Sequence, residues 1–100
     1  MNKNLYSLDN DEIERLVLLC EELAEAQQAI MKIMRHGYES YNPLFPEKTN
    51  RQDLEKELGH VSYAIKLMIE NHDILQSEID NNCTEKSLSI ACYLHHQQTL

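Results

Sequence analysis

Apolar side chains recur at three- and four-residue steps along much of the chain, and that period belongs to helices. Ile13, Leu16, Val17, Cys20, Ala24 and Met31, with polar Gln27 in the same series, predict a helix from about Asn10 to about His36 with these residues as its core stripe. Ser7 or Asp9 can cap it after a short lead-in, Met1 to Leu8, and Asp9 with Glu12 has the form of a capping box. Gly37 stands where a C-cap glycine belongs, and Tyr38 to Lys48, with Pro43 and Pro46, reads as a loop. Thr49 through Gln52 is a second capping box, opening a helix that runs to about Asn71 on a stripe of Leu54, Leu58, Val61, Ile65 and Met68. Beyond it, Ile74 to Ile79 predicts a short turn or helix and Asp80-Asn81-Asn82 a break. Thr84 then caps a last helix, about Glu85 to Gln97, carrying Leu88, Ala91, Cys92 and His95. The expectation is an all-α bundle in a single domain, residues 1–100.

Composition agrees with that pattern. Apolar residues make up 42% of 100 residues with only two Gly and two Pro, which favours helices, and a domain this small gains from oligomerisation. A net charge of -8 argues against direct nucleic-acid binding, because such proteins usually carry a basic face. Cys20, Cys83 and Cys92 have no metal-type spacing and read as free thiols in a reducing compartment. With no signal-like or membrane-length apolar run, the expected location is the cytoplasm.

Charge brings in the chemistry. Glu21, Glu22 and Glu25 lie within five residues on the first helix, at spacings where like charges are surface neighbours and repel. A solvated acidic face is the plain reading; a hard cation that collects their oxygens is the other. The second helix repeats the theme, with Glu57 and His60 three apart as Glu22 and Glu25 are, and with Asp53 and Asn71 on the same flank. Two such helices side by side bring four candidate ligands to one site. Glu14, Glu21, Glu25, Gln28 and Lys32 share a strip of the first helix, with Arg35 beside them, so acids able to hold a metal are followed by cations able to meet phosphate oxygens. Ordinary Glu–Lys pairing and cations near a helix C-terminus account for the same pattern without a ligand. Gly59, which costs about 1 kcal/mol relative to Ala inside a helix, suits a close helix crossing or is simply tolerated. Tyr38, Tyr41 and Phe45 fit either a lid that packs on a base or a plug that fastens the loop to the bundle. His72, His95 and His96 form no zinc-type constellation with the cysteines.

The order Glu21-Glu22-x-x-Glu25 and then Glu57-x-x-His60 resembles the Glu-Glu-x-x-Glu…Glu-x-x-Asp signature of MazG-like all-α nucleoside triphosphate pyrophosphohydrolases. The run Met31 to Gly37, the Lys48-Thr49-Asn50-Arg51 helix start, Glu57-Leu58-Gly59 and the closing Tyr93 to Gln97 resemble its short, phage- or prophage-encoded branch. The resemblance spans nearly the whole chain. It implies a four- to five-helix bundle that assembles into homodimers or homotetramers and, with Mg²⁺, hydrolyses the α–β phosphoanhydride of an NTP or dNTP to NMP and pyrophosphate. It places metal ligands at Glu22, Glu25, Glu57 and His60, a catalytic role at Glu21 or Glu25, and substrate contacts at Lys32, Arg35 and Asn71. His60 stands where the family has Asp. Imidazole suits Mn²⁺ or another transition metal better than Mg²⁺, so the swap implies a changed metal preference, a slower enzyme, or a catalytically silent module that binds nucleotide, metal or a protein partner.

Overall fold

Helix α1, Asn10–His36, opens on a complete capping box. Asp9 accepts from the Glu12 amide at 2.8 Å and the Glu12 carboxylate accepts from the Asp9 amide at 3.1 Å. The helix closes at Gly37, whose φ of 90° favours a residue without Cβ and whose amide donates to the Ile33 carbonyl at 2.7 Å. Helix α2, Asn50–Glu70, opens on the second box, between Thr49 and Gln52. Helix α3, Gln76–Ser89, starts without a side-chain cap and runs into a 3₁₀ turn, Ile90–Cys92. This computed structural model describes residues 7–97, so most of the lead-in and the last three positions of the expected domain lie outside it. The described residues contain no strand and are all-α. No helix among them is long and apolar enough to cross a membrane.

α1 and α2 form an antiparallel hairpin, as the links Arg15 to Asp73, Glu22 to His60 and Gly37 to Asn50 require. Its buried apolar residues are Ala26 and Ala29 on α1 and Val61, Ala64 and Met68 on α2, and Ala64 is the most buried at 1% exposure. That corrects the stripe expected on α1. Leu16, Val17, Cys20, Ala24, Gln27 and Met31 are all exposed, and by helical geometry they centre about 160° from the buried strip Arg15, Glu22, Ala26, Ala29 and Ile33. The larger apolar residues were expected to mark the core. Alanine marks it instead, because small side chains let two helices approach closely. On α2 the expected stripe holds in part: Val61 and Met68 are buried, Leu54 and Ile65 half-buried, Leu58 exposed.

The connections are tied at their bases. Asn50 and Arg51 donate their amides to Ser40 and Tyr38 at 2.8 and 2.9 Å, and the Arg51 guanidinium lies 4.4 Å from the Tyr38 ring centroid. After α2, His72 turns the chain with φ 64°, and Asp73 takes a two-bond grip from Arg15, at 2.6 and 3.0 Å. Both partners are half-buried, and the two-bond grip ties the end of α2 to the first turns of α1.

α3 differs from the two short elements expected here. It runs straight through Asp80-Asn81-Asn82, because the polar side chains bond to the helix's own atoms: Asn82 to the Glu78 carbonyl at 2.7 Å, Thr84 to the Asp80 carbonyl at 3.1 Å, and Gln76 to the Asp80 carboxylate at 2.8 Å. Thr84 is therefore inside a helix, not at its cap. Gly59 also departs from the close-crossing expectation, since a Cβ there would meet nothing within 4 Å.

Candidate metal centre and adjoining cavity

The three-residue step on each helix carries two donors to one level of the hairpin. One ligand atom from each of Glu22, Glu25, Glu57 and His60 lies within 4.8 Å of the others. His60 Nδ1 is 3.4 Å from Glu22 Oε2 and 3.7 Å from Glu57 Oε2, while Lys56 Nζ sits 3.3 Å from Glu57 Oε1. The alanine seam makes this possible, because Ala26 and Ala29 flank the acids and let α2 come near. Glu57 is buried, and Glu22 Oε2 and Glu57 Oε2 are buried with no hydrogen-bond partner. Unmatched buried carboxylate oxygens cost stability, and a cation at their meeting point would offset that cost.

The acids share protons unequally. A hydrogen bond to Glu57, reinforced by the negative charges of Glu22 and Glu57, holds the Glu25 carboxyl above its ordinary value. For Glu57, burial pushes upward, but the hydrogen bond from Glu25 and the ammonium of Lys56 outweigh it and leave the group below its ordinary value. The cluster thus raises the proton affinity of Glu25 and lowers that of Glu57, and a divalent cation bound there would compete with protons for the same oxygens.

Three carboxylates and an imidazole are an oxygen-rich donor set with one borderline nitrogen, suited to Mg²⁺ through the oxygens and to Mn²⁺ through all four. Glu21 is exposed and is not among the converging donors. Asn71 lies apart as well. Its side chain donates to the Leu67 carbonyl at 2.8 Å, in the last turn of α2, about 16 Å along the helix axis from His60.

Lys32 and Arg35 lie in the opposite direction, toward the connecting loop, where they line a cavity of about 710 Å³. Lys48 and Lys56, His36, and the rings of Tyr41 and Phe45 complete its wall, with Glu47 and Asp53 as its acids. Tyr38, Tyr41 and Phe45 are exposed, so they do not plug the hairpin. Lys48 and Lys56 are absent from the expected set of substrate contacts. Lys56 was legible in outline, since it falls beside the Asp53–His60 flank on a helical wheel; Lys48, in a loop without periodicity, was not.

No protein-family model matches the chain, and no curated protein or solved structure matches it.

Proposed function

We propose that this chain is a metal-dependent nucleoside triphosphate pyrophosphohydrolase of the MazG-like type, acting on an NTP or dNTP. The observation that carries the reading is the convergence of Glu22, Glu25, Glu57 and His60 on one point, two of them with orphaned buried oxygens. A Mg²⁺ or Mn²⁺ held by these four residues supplies charge neutralisation for the triphosphate and Lewis acidity at phosphorus. Lys32 and Arg35 bind phosphate oxygens, in line with their place on the cavity wall. Glu25, or Glu21 beside it, takes the proton of the attacking water as oxygen bonds to phosphorus, the α–β bridge breaks and pyrophosphate leaves. Asn71, remote within one chain, contacts substrate only if a second copy brings it near.

Exposed apolar residues support a homodimer or homotetramer. Leu16, Leu23, Ile30 and Met34 follow one line along α1, and a second copy of the hairpin covering it would make a bundle of four or more helices. The test of function is pyrophosphate release from a panel of NTPs and dNTPs with Mg²⁺ and Mn²⁺. Turnover is expected in at least one combination, faster with Mn²⁺; release from none refutes the enzyme reading. His60 supports a second reading, a silent relative that binds nucleotide or metal, whose signature is nucleotide-dependent thermal stabilisation without turnover.

A further inference from the structure

We infer that the cavity between the end of α1, the 37–49 loop and the start of α2 holds the base of a nucleotide, with Tyr41 and Phe45 as its stacking surface and Lys48 and Lys56 as added contacts to the phosphates that lead from it to the acid cluster. This rests on the nucleotide reading above and names how the substrate is held. Its size, about 710 Å³, lies within the range of small-molecule sites. Charge is the second argument. The chain has nine Lys and Arg against seventeen Asp and Glu, yet four of the nine, Lys32, Arg35, Lys48 and Lys56, line this one cavity. Arg15, Arg51 and Lys66 pair with acids elsewhere, whereas Lys32, Arg35 and Lys48 form no ion pair with any described residue. Free cations gathered in an acidic protein point to an anion.

The backbone narrows the way that anion is met. The first amides of α2 are already spent: Asn50 on the Ser40 carbonyl, Arg51 on Tyr38, Gln52 on the Thr49 hydroxyl and Asp53 on the Thr49 carbonyl. An anion here is therefore gripped by side chains, not by a helix N-terminus. Lys56 joins the two halves, since it lines the cavity while its ammonium sits 3.3 Å from the Glu57 carboxylate. A nucleotide whose base lies in the cavity has its phosphates led past Lys32 and Lys56 to the acid cluster. The rings explain why the ligand carries a base. Tyr41 and Phe45 stand exposed on a loop whose base is hydrogen-bonded but whose tip is held only by local turns, so they can close on a flat ring without disturbing the hairpin.

Calorimetric binding of an α,β-imido nucleoside triphosphate and of inorganic triphosphate, both with Mg²⁺, tests this. Phe45→Ala and Tyr41→Ala should each weaken the nucleotide by about 5- to 100-fold and leave inorganic triphosphate unchanged. Lys48→Gln should weaken both ligands several-fold. Circular dichroism of each variant should match the parent, since all three residues are exposed. Nucleotide affinity that survives both ring substitutions overturns the inference, as does an equal loss for inorganic triphosphate. The enzyme reading fails separately: wild-type binding with this ring dependence but without pyrophosphate release from the cleavable nucleotide refutes catalysis and keeps the cavity assignment.

Discussion

The α1–α2 hairpin and α3 are both helical, yet they are held by different forces. The hairpin has a seam of Ala26, Ala29, Val61, Ala64 and Met68, two capping boxes and a half-buried Arg15–Asp73 grip. α3 buries no residue and relies on side chains that bond to its own helix. Each candidate metal ligand and each residue lining the cavity beside them lies on the hairpin or its connecting loop, and none on α3. The candidate donors sit where packing can fix them to within a few ångströms, whereas α3 has no buried face to hold such a site. Leu75, Leu88, Tyr93 and Leu94, all exposed, make that end of the chain a candidate for contact with a second copy.

Substitutions can break this contrast. The largest effect expected is on turnover: Glu57→Gln removes the buried candidate ligand and should lower the proposed pyrophosphate release by about 10- to 100-fold, the scale typical for lost metal-site groups. In the metal-free protein the same variant also loses the Lys56 and Glu25 contacts that hold Glu57 below its ordinary value, so its melting temperature near neutral pH should fall. Next comes packing. Met68→Ala, in the seam, should cost about 2–5 kcal/mol in urea unfolding, while Leu88→Ala on α3 should stay within about 0.5 kcal/mol for the dissociated chain. A large loss for Leu88→Ala in the dissociated chain would erase the distinction.

The pH dependence separates the two acid systems. Arg15 holds Asp73 below its ordinary value of 3.8, so the folded state binds fewer protons there than the unfolded one; the grip stabilises above that pH and is lost as pH falls through the lower folded value. Glu25 has the opposite sign. Its folded value is raised above 4.5, so its contribution is present in acid and declines as pH rises through the folded value. Glu25→Gln should therefore flatten the loss of metal-free stability above pH 4.5, and Arg15→Ala should remove the gain on rising through pH 3.8, both read as melting temperature against pH. The smallest effect expected is a gain of about 1 kcal/mol for Gly59→Ala, whose added methyl meets open space.

The ends of α1 and α2 were legible in the sequence because their signals are local: Asp9 with Glu12, Thr49 with Gln52, and Gly37. The pairing of Glu22 and Glu25 with Glu57 and His60 was legible too, since a three-residue step marks one helix face and needs only a neighbour. The α1 core was not. Its larger apolar residues outline one side and its alanines another, and only contact with α2 decides which is buried. The α3 boundaries were also hidden, because Asp80, Asn82 and Thr84 break a helix or decorate one according to where their side chains bond.

The most direct measurement is a calorimetric titration of the metal-free protein with Mn²⁺, comparing wild type with Glu57→Gln and His60→Asp. Saturable binding to wild type, abolished in Glu57→Gln and shifted toward Mg²⁺ in His60→Asp, is the result predicted by a four-residue centre spanning both helices. Binding unchanged by Glu57→Gln, or no saturable binding at all, would contradict it.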